Sequence, residues 1–363
     1  MISRFTLLLA VSAVALAACN KGKSEAAAAS GEPPAAPASS AVAADSPLKL
    51  AGSVDLPGYA GDFDHFAYDE KGDRLFLAGE DGKSIEVFKL STGEHLKTLK
   101  DVDTPHSPMW LADKNELLVV DGGKKGVRWL DGTTYALKRT KLLSAPGADS
   151  TAYDPSSGRL FVVTGGKDVP MDICFIEAID PKTGKIFWST KFDANHVEAL
   201  AVESQGSRIF VNVTDKNELD VLDKNTGKVL KTIKVKEAEQ NAPIAMDEKT
   251  HRLFVVTRKP GKLLVLDADS LATVAEFKAP ERTDQVTWDP VNRRVYVTGG
   301  EGYVSVVEQT DADHYAEVEK PTSGPGAKTA ILTPKADRLY VAQSPGDTKA
   351  MAKLIWFDIK PRG

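Results

Sequence analysis

The sequence predicts an all-β fold, a seven-bladed β-propeller in which four-stranded antiparallel blades form a closed ring. First, a short phrase recurs seven times: an apolar run, an acidic turn, then Arg, an aliphatic and an aromatic residue. Second, its copies follow one another about every 42 to 49 residues, a period typical of propellers and solenoids. Third, a strand pattern near the start of the domain supplies the strand that the last repeat lacks.

The repeated phrase is complete in its first copy, where Phe66-Ala67-Tyr68-Asp69 precedes Arg74-Leu75-Phe76. The second copy is degenerate, because Leu117-Leu118 follows Glu116 instead of an arginine, after a shorter turn. Each copy predicts the inner strand of a blade and the strand beside it. The later copies contain Arg159, Arg208, Arg252, Arg294 and Arg338.

One repeat, residues 242–278, shows how a blade is built. Its short apolar run 244–246 predicts a buried inner strand, and the segments 252–257 and 262–267 predict two further buried strands. Residues 273–278 alternate between apolar and charged side chains, as expected for an outer strand with one face in water.

The ring is predicted to close through its two ends. Residues 353–359 form a third strand, after which no fourth strand follows in the last repeat. The alternating run 48–56 precedes the first inner strand and has no partner in its own repeat. We therefore expect this N-terminal strand to complete the last blade, which leaves no exposed sheet edge between the first and last repeats.

The first residues predict export. Arg4, the apolar stretch 5–16 and Ala17-Ala18 have the arrangement of a secretory signal peptide, which we assign to residues 1–18. Leu16-Ala17-Ala18-Cys19 resembles a bacterial lipobox. This resemblance implies cleavage before Cys19, lipidation of its sulfur and attachment to a membrane of the bacterial cell envelope. Asn20 follows the cysteine, which in the lipoprotein sorting pattern favours the periplasmic side of the outer membrane in a Gram-negative host.

The residues after the lipobox predict a tether and then one globular domain. Residues 19–46 are rich in Ala, Ser and Pro and too poor in apolar side chains to form a core, so we expect a disordered tether. Residues 47–363 form the predicted propeller. Cys174, the second of two cysteines, lies in an apolar run and is predicted to be a buried hydrophobic residue. The net charge of −5 gives no reason to expect nucleic-acid binding.

A known family resembles this pattern. Tyr296-Val297-Thr298-Gly299-Gly300 ends a second strand, and residues 161–166 and 254–257 echo it. These residues resemble the YVTN family of seven-bladed β-propellers over residues 48–359. The resemblance implies a secreted or surface protein with a binding role.

The candidate ligand site comes from the loops that lead into the inner strands, because propeller ligands bind at one end of the channel. Carboxylates and histidines recur in these loops and are predicted to converge there. Three interpretations stay open: a divalent cation site, a metal-dependent hydrolase or lactonase, and a set of charges that solvates the channel mouth. The hydrolase would use Asp64, Asp149, Glu198 and Asp284. The predicted site residues are Asp64, His65, His106, Asp149, His196, Glu198, Asp284 and Lys328.

The sequence favours binding over catalysis. No catalytic residue is predicted, because no HxH, HExxH or GxSxG motif accompanies these side chains. Residues 178–188 resemble the tryptophan-docking motif of quinone-dependent dehydrogenases, but it is complete only once, so no quinone cofactor is predicted. We expect a lipid-anchored scaffold that binds an envelope protein, a glycan or a small molecule. The long loops 164–172 and 343–353 are candidate contact surfaces for a partner.

Overall fold

The computed structural model describes residues 46–123, 126–236, 238–346 and 350–362. The predicted signal peptide (1–18), the lipidation site Cys19 and all of the predicted tether except Ser46 lie outside the described residues. Within the described ranges the strands form seven four-stranded antiparallel sheets. The predicted seven-bladed, all-β architecture is therefore confirmed.

The first four blades each run from an inner to an outer strand in chain order. Blade 1 contains β2 to β5: Phe66–Asp69, Arg74–Gly79, Ser84–Lys89 and His95–Leu99. Blade 2 contains β6 to β9: Pro105–Leu111, Glu116–Asp121, Gly126–Asp131 and Leu137–Leu142. Blade 3 contains β10 to β13: Thr151–Asp154, Arg159–Gly165, Cys174–Ile179 and Ile186–Phe192. Blade 4 contains β14 to β17, with a 3₁₀ turn Thr214–Lys216 after β15: Val197–Val202, Arg208–Val213, Glu218–Asp223 and Val229–Lys234.

The remaining blades follow the same plan until the ring closes. Blade 5 contains β18 to β21: Glu239–Asp247, Arg252–Lys259, Gly261–Asp267 and Thr273–Lys278. Blade 6 contains β22 to β25: Gln285–Asp289, Arg294–Gly299, Tyr303–Gln309 and Tyr315–Glu319. Blade 7 combines β26 to β28 with β1: Ala327–Leu332, Arg338–Gln343, Lys353–Ile359 and Leu48–Asp55.

The predicted closure is confirmed. β1 is the outer strand of blade 7 and pairs antiparallel with β28, with Leu48 opposite Ile359 and Asp55 opposite Lys353. The start of β1 therefore lies at the end of the blade where β28 finishes. Its last residues lead through 57–65 towards the inner strand of blade 1.

Two predicted bounds in blade 5 are wrong. The inner strand begins at Glu239, not at position 244, because the ladder with β19 continues past an irregularity between Asn241 and Ile244. β19 also continues to Lys259, two residues beyond its predicted end at position 257, so Arg258 belongs to a strand.

The core lies between neighbouring blades. Each of seven apolar clusters joins one blade to the next, and one of them joins blade 7 to blade 1. Cys174 is 1% exposed within the cluster between blades 3 and 4, as predicted for a buried hydrophobic residue. Burial raises the pKa of its thiol to about 11.

The acidic residue of the repeated phrase holds the turn that follows it. Its carboxylate accepts a backbone N–H two or three residues along the chain, as Asp69 does from Gly72 (3.0 Å) and Asp289 from Asn292 (2.9 Å). Such a contact favours a tight turn at this position.

The arginine of the phrase links adjacent blades. Its guanidinium donates to a carbonyl just after the third strand of the next blade, which satisfies a backbone acceptor at the blade interface. The acceptors for Arg74, Arg159, Arg208, Arg252, Arg294 and Arg338 are the carbonyls of Gly132, Lys224, Ala268, Ala312, Lys360 and Ser91.

The degenerate blade 2 forms the same link by a different route. Glu116, at the position of the arginine, accepts two hydrogen bonds from Arg139 on the outer strand, at 2.9 and 2.8 Å. Arg139 in turn donates to the carbonyl of Lys182 in blade 3 at 2.8 Å. The replacement of the arginine by Glu116 is thus compensated by an arginine on the outer strand of the same blade.

Candidate functional site

The candidate site is an opening of about 640 Å³ at one face of the ring. Connections from outer to inner strands reach this face, and so do the turns between second and third strands, because antiparallel strands alternate in direction. We call this opening the channel mouth. Each blade contributes at least one charged side chain, in blade order Asp64, His106, Asp149, Glu198, Arg258, Asp284 and Lys328.

The channel continues below the mouth. A cavity of about 260 Å³ is lined by residues of all seven inner strands, among them Phe66, Ile244 and Ile331. His65 and Asp284 line both spaces, so the mouth opens into this central cavity.

Backbone contacts fix the segments that carry the acidic residues of blades 1 and 3. The N–H of Asp64 donates to the carbonyl of Ala78 (2.9 Å), and the N–H of Asp149 donates to the carbonyl of Val163 (3.0 Å). Both residues therefore extend the pairing of the inner strand with its neighbour. A rigid sheet, and not a free loop, positions these carboxylates.

Fixed cations bridge the carboxylates on the side of blades 4 to 7. Arg258 contacts Glu198 at 2.7 Å and also contacts Asp284. Lys328 lies 3.1 Å from Asp284 and 2.7 Å from Asp62. Acidic and basic side chains therefore alternate around this half of the mouth.

These ion pairs change the protonation equilibria of their members. Burial acts to raise the pKa of Glu198, but Arg258 and His196 outweigh this effect and lower the pKa well below its usual range. Burial acts to lower the pKa of Lys328, but Asp284 and Asp62 outweigh this effect and raise the pKa above its usual value. Both side chains are thus charged over the whole physiological range.

Imidazoles replace the fixed cations on the side of blades 1 to 3. Nδ1 of His106 lies 2.7 Å from Oδ2 of Asp64 and 3.5 Å from Oδ1 of Asp149. Nε2 of His65 lies 3.4 Å from Oδ1 of Asp64. The His106 side chain is only 6% exposed, so its ring is held in place by these two acidic neighbours.

The same half of the mouth has more acidic groups than nearby cations. Burial and the charge of Asp64 raise the pKa of Glu80 to about 7. Burial raises the pKa of Asp149 to about 6, although His106 opposes it. Burial acts to lower the pKa of His106, but Asp149 and Asp64 outweigh this effect and raise the pKa to about 10.

The structure brings the eight predicted site residues to one face. Seven of them line the mouth, and His196 contacts Glu198 just behind it. It does not bring the three predicted histidines together, because His65 and His106 contact Asp64 whereas His196 pairs with Glu198. The four carboxylates proposed for a hydrolase fall into two groups, one around His106 and one around Arg258. The hydrolase interpretation stays a prediction.

Several charged side chains of the mouth were missed from the sequence, among them Arg258 and Glu80. Blade 5 has Ala242 at the position where five of the other blades carry a charge, and Arg258 of β19 fills that gap. Glu80 follows β3 in a turn between second and third strands. Glu80 could have been found by noting that the turns between second and third strands share the face of the mouth.

One group of residues has the composition of a metal site. Asp64, Glu80 and His106 each offer a ligand atom, and these three atoms lie within 4.8 Å of one another. Two carboxylates and an imidazole are ligands that proteins offer to divalent transition metals.

The fold and the mouth define a β-propeller with a charged opening on one face, and comparisons agree with the fold. A family model described as "PQQ_2: Outer membrane protein assembly factor BamB" matches residues 174–351. No curated protein matches the chain significantly. The YVTN resemblance stays a prediction from its motif residues.

Two solved structures are similar over most of this chain. A chain in the crystal structure of the mitotic checkpoint complex is 15% identical with a TM-score of 0.70, and the match covers 93% of this chain and 99% of that one. The crystal structure of RRP9 WD40 repeats is 9% identical with a TM-score of 0.69, covering 86% and 100%. At these identities the similarity shows the fold alone. Among the residues described here, no helix has the length and apolar character needed to cross a bilayer.

Proposed function

We propose that this chain is a lipid-anchored binding scaffold of the bacterial cell envelope, and that the channel mouth recognises another envelope protein. One observation carries the proposal: all seven blades direct a charged side chain to a single opening of about 640 Å³. Rigid scaffolds that present charged side chains around an opening are suited to recognition. The match of residues 174–351 to a family named for outer membrane protein assembly supports an envelope partner.

The place where the chain enters the propeller supports a mouth that faces away from the proposed anchor. Leu48 begins β1 beside Ile359, whereas the residues after β1 lead to Asp62 and Asp64 at the mouth. The propeller is therefore entered at the face opposite the mouth. An anchor at Cys19 would leave the mouth accessible to a partner. This part of the proposal requires that a Cys19→Ala variant lose its association with the membrane fraction.

Site-specific photo-crosslinking in cells tests the recognition surface. A photoreactive side chain at Asp168, an exposed residue of the mouth, should give a discrete adduct with one envelope protein. The matched control is position 291, because Val291 is 68% exposed in a turn between inner and second strands at the opposite face. It should give no such adduct. Equal adducts from both positions, or none from position 168, would contradict the proposal.

A further inference from the structure

The two halves of the mouth differ in their counter-charges. Around blades 4 to 7 the carboxylates contact Arg258 and Lys328, whose charges are permanent at physiological pH. Around blades 1 to 3, the basic side chains that contact Asp64 and Asp149 among the described residues are imidazoles, and Lys167 pairs with Asp168 at 2.9 Å. Within the described ranges, no lysine or arginine side chain directly contacts Asp64 or Asp149 in this half.

Glu80 is the least satisfied acidic group in this half. Its carboxylate makes no hydrogen bond or ion pair within the described part of the chain, although the side chain is partly buried. A partly buried carboxylate without a partner loses hydration and gains nothing in exchange. A bound cation would supply the missing interaction.

The geometry around Glu80 suits a small ion. Ligand atoms of Asp64, Glu80 and His106 lie within 4.8 Å of one another. Atoms bound to one Zn²⁺ at about 2.0 to 2.2 Å lie roughly 3 to 4 Å apart, so small side-chain rotations complete the site. The three residues belong to blades 1 and 2, and the backbone N–H of His65 bonds the carbonyl of His106 at 3.1 Å, which holds the two blades together there.

We propose that Asp64, Glu80 and His106 bind one divalent transition-metal ion, with Zn²⁺ as the expected occupant. An imidazole with two carboxylates suits Zn²⁺, which takes four ligands, so that one position stays open for water or for a group of a partner. Ca²⁺ is disfavoured, because it requires six to eight oxygen ligands. Oδ1 of Asp149 lies 3.5 Å from Nδ1 of His106 and adds negative charge beside the trio. The proposal goes beyond the scaffold function and does not depend on it.

Titration calorimetry of the purified full-length protein, prepared without a metal-affinity tag and freed of metal by a chelator, tests the site with ZnCl₂. The wild type should bind one Zn²⁺ per chain. Glu80→Gln should weaken binding at least about tenfold, since removing even an outer partner of a metal ligand costs 10–100-fold. Because Glu80 has no partner to lose, this variant should fold like the wild type, which circular dichroism and a thermal melt will verify.

The control variant is Asp168→Asn, which removes the same charge from the same mouth outside the trio. Its affinity should stay within about twofold of the wild type, because an exposed charge is screened by salt. Equal weakening by both variants would mean diffuse attraction and overturn the site. So would a wild type that takes up no Zn²⁺, an unchanged affinity in Glu80→Gln, or displacement of Zn²⁺ by equimolar Ca²⁺.

Discussion

At the scale of single residues, Asp154 shows how burial and hydrogen bonding decide what a repeated side chain does. Its side chain is fully buried and accepts bonds from Ser156 and Ser157, and Lys224 lies 3.0 Å away. Burial acts to raise the pKa of Asp154, but these contacts outweigh this effect and lower the pKa to about 2. Lys224 comes from blade 4, so the contact also joins two blades.

This shift predicts a dependence of stability on pH. A depressed carboxylate pKa stabilises the folded state above the unfolded value of about 3.8, and the effect is lost as pH falls through about 2. The contribution is on the order of 2 kcal/mol. Urea unfolding of wild type and Asp154→Asn between pH 7 and pH 2.5 should therefore show a difference that shrinks below pH 4. A difference that is constant with pH would contradict this.

At the scale of strands and turns, the inter-blade arginines differ in strength. Arg208 contacts Glu203, which is 4% exposed, and donates to the carbonyl of Ala268 at 2.8 Å. Arg159 reaches the carbonyl of Lys224 only at 3.3 Å, and the acidic residue of its repeat is held by Lys224 instead. We therefore expect the arginine at this motif position to contribute more to stability in blade 4 than in blade 3.

We expect Arg208→Ala to lower the free energy of unfolding by about 2 to 4 kcal/mol, because it leaves the buried carboxylate of Glu203 without its cationic partner. The matched change Arg159→Ala should cost less than about 1 kcal/mol. Chemical denaturation of both variants measures the difference. Similar losses would show that the arginines act through general packing and not through these hydrogen bonds.

At the scale of the whole molecule, stability depends on the closure between β1 and β28. Leu48 is 1% exposed and packs into the cluster between blades 6 and 7, whereas Leu50 on the same strand is 57% exposed. Leu48→Ala should cost about 2 to 5 kcal/mol by leaving a cavity at the closure. Leu50→Ala should change stability by no more than about 0.5 kcal/mol. Equal effects in denaturant unfolding would argue that the closure contributes little.

The repeat and the strand patterns predicted the blades, their number and the closing strand, because hydrophobic periodicity reflects burial directly. The eight proposed ligand positions also fell on one face, since each was placed relative to an inner strand. The sequence could not reveal that Arg258 fills the gap at Ala242. It also could not reveal that Arg139 compensates for Glu116, because both depend on side chains of other strands reaching across the sheet.

The pairing of β1 with β28 also sets an order of events during synthesis. A chain made from its amino end produces β1 first and its partner last, with all the other blades in between. β1 cannot pair until β28 has been made. The ring can therefore close only after the strands of all seven blades have been made.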